Sequence, residues 1–466
     1  MRLEKQLQLS RKKFCNMQIK GISFDSRKAK KDEIFFAIRG NKTSGNKYIK
    51  DVVRKKVLAV VTDKKIKIKN SKTTFFKVKD PRLSLAEACS KFYKKKPKKI
   101  VAVTGTNGKS SVANFFVQLF SLNNVPAASI GTLGINYLKY KKKTDLTSID
   151  PLTLNKTLDF LAKKKINNVI LEASSHGLSQ KRLDFINLKA GIFTNLSHDH
   201  LDYHKNMKNY FYSKLYLFKT LLKKDSTFIF DNDLKEKKIF RKIVKSRKLK
   251  ALTISQDTGS LKILKHAYED NYQLLTISYN FKIFKIKIPL IGYFQIKNIL
   301  MAILAVHSCG LSINKILKSI HKIKPVPGRL ECISNLYNGA KVILDYAHTP
   351  DALENSLMAI KKQFNKDIVL VFGCGGERDK KKRPIMGKIA AKYCRKIFVT
   401  DDNPRHENPK KIRNSIIKGC RKNVIDVPQR KFAIKEAIFE LKPNEILLVA
   451  GRGHEAIQDY GKRKIK

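Results

Sequence analysis

Tryptophan is absent from the 466 residues, and acidic side chains are scarce, with 38 Asp and Glu against 98 Lys and Arg. No apolar run approaches the ~20 residues that a membrane-spanning helix needs, which excludes a transmembrane protein. The segment Met1 to Phe14 is polar and basic with no apolar core, which excludes a secretory signal. The seven cysteines (Cys15, Cys89, Cys309, Cys332, Cys374, Cys394 and Cys420) are scattered and form no C-x-x-C pair. That excludes a disulfide framework and a cysteine zinc site. No internal repeat occurs, and no low-complexity segment beyond runs of lysine. A soluble cytoplasmic protein is expected.

The shortage of acids leaves a net charge of +60. Alone, that charge points to nucleic acid or an anionic membrane surface. The lysines, however, are spread along the chain, as in Lys94-Lys95-Lys96, Lys163-Lys164-Lys165 and Lys380-Lys381-Lys382. They form neither a tail nor an aromatic-interleaved stripe. Lysine fills solvated positions throughout, so neither nucleic acid as a main partner nor a membrane is expected, while the positive field would draw anionic substrates. A hydrophobic content of 42% is that of a globular chain. The length exceeds one compact core and implies two to four domains.

The strongest local pattern is Thr104-Gly105-Thr106-Asn107-Gly108-Lys109-Ser110-Ser111. It follows the apolar run Ile100-Val101-Ala102-Val103 and precedes a helical segment, Val112 to Leu122. Glycines let backbone N–H groups curl around an oxyanion, and a helix N-terminus adds a favourable dipole. Lys109 can reach outer phosphates and the Ser110 hydroxyl can ligate Mg²⁺. Val103 stands where the common phosphate-loop pattern has its first glycine. The bland alternative is an ordinary strand-to-helix turn, against which the flanking pattern argues.

Domain organisation follows from composition shifts. Residues 1–97 read as a small α/β domain, with strands at Ile34–Ile38 and Val57–Val61 and a helix at Ala86–Tyr93; the proline-broken run Lys94–Lys99 is a linker. Residues 98–325 alternate strands (Ile100–Val103, Val169–Ala173, Ala190–Thr194) with helices, as in a parallel sheet carrying the glycine loop after its first strand. Within them, Ser260–Pro289 alternates apolar residues and reads as a hairpin insertion. A second boundary falls at Lys324–Gly328. Residues 326–466 alternate again, with strands at Lys341–Asp345, Ile368–Phe372, Lys396–Thr400 and Glu445–Ala450.

Chemistry-bearing residues follow the strands. Glu172 ends an apolar strand, where a carboxylate can hold Mg²⁺ beside a phosphate loop or simply face solvent. Thr194 to His204 carries three histidines and two aspartates. The spacing fits no standard zinc motif, and one histidine near a Mg²⁺–phosphate centre fits better. Asp345–Asp351, Gly373–Asp379, Asp401–Arg405 and Gly451–Glu455 each follow a strand. Each is a turn taken singly; together they suggest a polar small-molecule pocket where an open α/β sheet places its ligands.

TGTNGK, EASSHGL, HDHLDYH, VPGRLE, DYAHTPD, GCGGERDKKKRP, DDNPR and GRGHE occur in that order, within a stretch running from Asp25-Ser26-Arg27 to Glu455. Together these motifs resemble the Mur ligases, ATP-dependent amide-bond-forming enzymes of peptidoglycan synthesis, and among them the diaminopimelate-adding type. The resemblance implies an α/β fold of three domains: a UDP-sugar-binding domain, a central parallel-sheet P-loop ATPase domain, and a Rossmann-like C-terminal domain for the amino acid. It implies that Ser26, Thr147, Ser148, Ser174, Gln180 and Arg182 contact UDP-MurNAc-L-Ala-D-Glu. It implies that Gly105, Thr106, Asn107, Gly108, Lys109, Ser110 and Ser111 hold ATP, with Arg329 and Asp345 reaching the nucleotide. Glu172 and His200 match Mg²⁺ positions alongside Ser110, and Lys214 matches a lysine that CO₂ carbamylates into a metal-ligating carboxylate. Lys109, His200 and Lys214 are the catalytic set it implies.

For the incoming meso-diaminopimelate the resemblance implies Arg378, Asp402, Asn403, Arg405, Gly451 and Glu455. A guanidinium can grip the distal carboxylate through two parallel hydrogen bonds, and Glu455 suits an ammonium. The family chemistry makes a glutamyl acyl phosphate that the amine displaces, releasing ADP and phosphate. It serves cell wall biogenesis and, through it, cell shape, division and the cell cycle; a monomer is expected. The chain departs from the family in GKSS for GKTT, in Thr147-Ser148-Ile149 for Thr-Thr-Pro, and in Thr43-Ser44-Gly45-Asn46 for an Asp-Gly-His stretch. It also runs only a short way past GRGHE. The DNPR and GRGHE segments argue against a D-Ala-D-Ala-adding or folylpolyglutamate-type sibling. A nucleic-acid-stimulated NTPase is the rival of another class.

Overall fold

The computed structural model describes residues 19–40, 43–66, 68, 72–138, 140–144, 146–420 and 423–465. Cys15 and the Met1–Phe14 segment lie outside them, and the other six cysteines are free. The chain divides into two compact units, one of residues 1–98, 148–167 and 176–187 and one of the remainder.

In the first unit Gly21–Ser23 (β1), Glu33–Phe36 (β2), Ala59–Thr62 (β3) and Thr74–Lys77 (β4) pair in sequence order, all parallel. Both faces of this sheet are covered, which is why its central strands read as unbroken apolar runs. Phe35 and Val60 pack on Ile49 and Val52 of one helix, Ile49–Arg54. Phe36 and Val61 face the other way, onto Leu85 and Cys89 of helix Pro81–Phe92. The later segment contributes helix Pro151–Lys163, whose Leu152 joins that second cluster and whose Asp159 accepts from the Lys95 N–H at 3.1 Å. Both helices start at an Asp-Pro step. The Asp side chain caps the free N–H groups and proline's fixed φ suits the first turn.

The second unit is built on an 11-stranded sheet. Its parallel centre comprises Lys99–Thr104 (β5), Ala127–Gly131 (β6), Asn168–Glu172 (β9), Ala190–Phe193 (β10), Thr227–Asp231 (β11) and Lys250–Ser255 (β12). One edge is extended by Gly134–Tyr137 (β7) and Tyr140–Lys142 (β8), and the other by Leu261–Tyr268 (β13), Gln273–Tyr279 (β14) and Lys282–Ile288 (β15). The order is β15-β14-β13-β12-β11-β10-β5-β9-β6-β7-β8. Helices Lys109–Ser121 and Tyr293–Ser308 share one apolar cluster with Val101, Val103, Ile170, Ile192, Ile229 and Ile254 of the central strands.

The expected hairpin insertion at 260–289 is instead a three-stranded antiparallel meander, and β13 continues the main sheet by pairing parallel to β12. Alternating hydrophobicity specifies one covered face but not the number of strands; a polar break at Glu269–Tyr272 and a turn at Asn280–Phe281, both residues at positive φ, make three.

A separate 6-stranded sheet follows, in the order β16-β17-β21-β18-β19-β20. Its strands are Glu331–Asn335 (β16), Lys341–Leu344 (β17), Ile368–Phe372 (β18), Lys396–Val399 (β19), Val424–Asp426 (β20) and Ile446–Val449 (β21). All pairs but β16–β17 are parallel. Ile291 and Phe294, from the start of helix Tyr293–Ser308 and just before it, pack into this lobe's core beside Leu330. That packing makes the two lobes one compact unit.

Candidate active site

The glycine loop sits between β5 and helix Lys109–Ser121. Gly105 has φ +147°, and a Cβ there would lie 1.8 Å from Thr194 Oγ1. Gly108, the helix N-cap, has φ +85°, and a Cβ would lie 2.4 Å from Asn298 Oδ1. Both positions need glycine for conformation and for space. Residues 194–197 hold the loop from one side. Thr106 N–H donates to Asn195 O (2.9 Å), Asn107 N–H to Asn195 Oδ1 (2.9 Å), and Thr194 Oγ1 to Asn107 O (2.6 Å). Lys109 Nζ folds back onto the Gly105 and Thr106 carbonyls at 2.9 and 2.7 Å. Burial pushes this ammonium below its usual range, with Glu172 and Asp199 opposing the shift.

Glu172, at the end of β9, is 3% exposed, so the solvent-facing alternative for this residue is overturned. Its carboxylate accepts from Ser110 Oγ (3.0 Å), Thr132 N–H (2.9 Å) and Thr132 Oγ1 (3.1 Å). Gly131 gives it room, since a Cβ there would lie 2.1 Å from Glu172 Oε1. A serine hydroxyl and a carboxylate side by side at the loop are hard oxygen donors of the kind Mg²⁺ takes with phosphate and water. No group of three or more His, Cys, Asp or Glu side chains is gathered as a metal site among the described residues. His200, with backbone φ +53°, pairs with Asp199, Nε2 to Oδ2 at 3.4 Å. Burial would raise Asp199, but His200, His348 and Lys109 hold its carboxyl below the ordinary value.

Lys214 projects from helix Met207–Tyr216 and is 1% exposed. Its Nζ donates to Gly105 O at 2.7 Å and lies 4.2 Å from the centroid of the Tyr210 ring, one helical turn back. Burial, reinforced by Lys109, pushes its pKa well below the usual lysine range. The glycine loop, Lys214 and His200 border a cavity of about 460 Å³, whose far wall includes Arg329, Asp345 and His348 of the third-sheet lobe. Asn107 Nδ2 donates to Asp351 Oδ2 at 3.1 Å, which ties the glycine loop directly to that lobe. Asp345 is pinned by Leu330 N–H (3.1 Å) and Ser356 Oγ (2.6 Å), and the Arg329 guanidinium lies 4.1 Å from the Tyr346 ring centroid.

A second polar cluster joins the turns after β17, β18, β19 and β21. Asn403 Oδ1 accepts from Arg452 Nη1 (2.8 Å) and Asp459 N–H (2.8 Å), and Asn403 Nδ2 donates to Glu455 Oε2 (3.2 Å). Tyr346 Oη donates to Glu455 Oε1 at 3.0 Å. Arg405 has φ +55°, its N–H donates to Asp459 O (2.9 Å), and its Nη1 donates to Gly376 O (2.7 Å). Arg378 is exposed nearby in sequence to that carbonyl, on the same turn. Asp402 is buried, and a Cβ on Gly451, at φ +109°, would lie 2.9 Å from its Oδ2.

Three family models match the chain: the Mur ligase family catalytic domain at residues 18–93, the Mur ligase middle domain at 103–306 and the Mur ligase glutamate ligase domain at 328–453. The UDP-N-acetylmuramoyl-L-alanyl-D-glutamate--2,6-diaminopimelate ligase of Rickettsia conorii is 41% identical over 459 residues, covering 97% of this chain and 94% of its own. The chain belongs to the Mur ligase family. A solved structure of a UDP-N-acetylmuramoyl-L-alanyl-D-glutamate--2,6-diaminopimelate ligase superposes with TM-score 0.70 at 29% identity, covering 95% of this chain and 91% of the other. The MurF ligase of Thermotoga maritima in complex with ADP shares the fold at 16% identity, with TM-score 0.65 and coverage of 93% and 94%.

In this Mur ligase the residues expected to touch the UDP-sugar divide between the two units. Ser26, Ser148, Gln180 and Arg182 belong to the first, Thr147 and Ser174 to the second. Arg182 donates to Gln180 Oε1 (2.7 Å) and to the Ser148 carbonyl, so these three are neighbours. In the second unit Thr147 Oγ1 lies 3.1 Å from Thr132 Oγ1, one bond away from Glu172. Sequence reading missed Asn298 beside Gly108 and the Lys297–Asp231 pair at 2.6 Å; it included Asp351 as the end of the Asp345–Asp351 turn but not its bond to Asn107. Asn298 had a visible signal: it is a buried polar residue immediately before the apolar, buried run Ile299–Val306.

Proposed function

We propose that this Mur ligase joins meso-2,6-diaminopimelate to UDP-N-acetylmuramoyl-L-alanyl-D-glutamate, consuming ATP through a glutamyl acyl phosphate, in the cytoplasm and as a monomer. Gly105 to Ser111 cradle the nucleotide phosphates and Lys109 offsets their charge. Arg329 and Asp345 approach the nucleotide from the opposite wall. Ser110, Glu172, His200 and Lys214 would hold Mg²⁺, which, when bound, offsets charge on the transferring phosphoryl group. Lys214 supports this in an unusual way. Burial disfavours the ammonium form of this side chain; addition of CO₂ to the amine, with loss of one proton, would give a carbamate, an oxygen ligand where an ammonium would repel the metal. Ser26, Thr147, Ser148, Ser174, Gln180 and Arg182 bind the UDP-sugar peptide.

One juxtaposition supports diaminopimelate over lysine. Arg405 and Glu455 are linked through the Asn403 loop, with Asn403 bonded to Glu455 at 3.2 Å. A cationic fork and a carboxylate so placed match the carboxylate and ammonium at one end of diaminopimelate, and lysine lacks that carboxylate. Arg378, Asp402 and Gly451 complete that pocket. Tyr346, which lines the cavity of the phosphate loop and donates to Glu455, would connect the two sites, so that amine and acyl phosphate align with water excluded.

Phosphate release from ATP is the test, with the UDP-dipeptide and each amino acid supplied in turn. Release should need both the UDP-dipeptide and diaminopimelate. Release with lysine alone as acceptor overturns the specificity, and stimulation by DNA or RNA instead overturns the activity.

A further inference from the structure

Arg383 and Glu407 lie just past the Gly-Gly-Glu-Arg and Asp-Asn-Pro-Arg segments and have no role in the chemistry above. Arg383 is the largest fully buried side chain among the described residues, at 2% exposure. Its Nη1 and Nη2 donate to the two oxygens of Glu407 at 2.7 and 2.8 Å. Glu407 Oε2 also accepts the Glu377 N–H at 3.1 Å, and Glu407 N–H donates to Pro404 O at 3.1 Å. Arg383, in the first turn of helix Lys382–Tyr393, and the Glu377 N–H on the turn after β18 thus both hold Glu407, which follows the turn after β19.

The seam it closes is tight. Gly376 N–H donates to Asn403 O at 2.9 Å, and a Cβ on Gly376 would lie 1.9 Å from Pro404 O. Arg405 takes part by donating Nη1 to Gly376 O. A buried ion pair is a poor stability device, because apolar residues of the same volume often hold a fold as well or better. The Nε of Arg383 even stays without a hydrogen-bond partner among the described residues. What a bidentate pair supplies is fixed geometry: two planar groups locked in register. The arginines at the seam, Arg378 and Arg405, stand one on each turn, so their separation depends on how the turns are joined.

We propose that Arg383 and Glu407 are positioning residues for amino-acid recognition: they fix the Arg378 turn against the Arg405 turn and so set the reach of the site for a substrate carrying a distal carboxylate. This rests on diaminopimelate being the amino acid bound there. The test uses the full chain with Glu407→Gln, Glu407→Asp and Arg383→Met, varying ATP, the UDP-dipeptide and diaminopimelate separately. The KM for diaminopimelate should rise roughly ten-fold or more, as when one partner of a buried pair is removed, while both other KM values stay within about two-fold. Glu407→Asp keeps the charge while shortening the reach, and should show the same selective rise if Glu407→Gln does not fold. Equal changes in all three KM values, or a fall in kcat with the diaminopimelate KM unmoved, overturns the positioning role. Wild-type enzyme that ignores diaminopimelate overturns the functional reading beneath it, an outcome separate from the first.

Discussion

Lys214 Nζ donates to the Gly105 carbonyl at 2.7 Å, which places a buried lysine directly against the phosphate-binding loop. The folded state penalises its ammonium form, because burial removes water and Lys109 stands nearby. A lysine whose folded pKa lies below its unfolded value costs stability below that unfolded value. In CO₂-free, Mg²⁺-free buffer the wild-type protein should therefore gain stability as pH rises through the folded pKa towards the unfolded one. Lys214→Met should lack that rise, melt higher than wild type at neutral pH, and lose roughly 100-fold or more in ligase rate. Thermal scans across pH together with phosphate release check this; a Met variant that melts lower at neutral pH contradicts it.

Arg405 offers a sharper measurement. Arg405→Ala should lower kcat/KM for diaminopimelate by about 1.5–3 kcal/mol, or roughly 10- to 150-fold, the range for a hydrogen bond to a charged group. Arg405→Lys should recover little of it, since a point charge cannot grip a carboxylate through two parallel bonds. The KM for ATP should stay put in both variants. Undiminished diaminopimelate use by Arg405→Ala removes this residue from the site.

Gly105→Ala tests the loop. The added methyl would meet Thr194 Oγ1 at 1.8 Å and the Asn195 N–H at 3.0 Å. A backbone φ of +147° adds strain to the collision. Residues 194–197 must shift, and with them the bonds that hold Thr106 and Asn107. The expected result is a stability loss of at least about 1–2 kcal/mol and weakened ATP binding, read by thermal melting with and without nucleotide. Unchanged nucleotide stabilisation would mean that the loop tolerates a side chain and does not grip phosphate through this turn.

Much of the candidate site was legible in the sequence because its parts are local. The glycine loop, the Glu172 strand end and the four turns of the C-terminal lobe each follow an apolar strand, and an open α/β sheet brings such ends to one edge. Other parts were not. Asp351 reaches Asn107 from more than two hundred residues away, and Asn298 fills the space beside Gly108 from a helix whose apolar face dominates its pattern. The meander was read as a hairpin because alternation reports a covered face and is silent on which neighbour a strand pairs with.

The sequence by itself determined the family, the parallel sheets and the order of the motifs, since those depend on periodicity and on residue types at short spacing. Only the tertiary structure decided that Glu172 is buried with Ser110 and Thr132 on its carboxylate. It alone showed that Lys214 is a desolvated amine and that Arg383 and Glu407 lock two turns together. Burial and ion pairing depend on what long-range folding brings alongside a side chain, and a lysine, a glutamate or an arginine carries no local mark of its eventual neighbours.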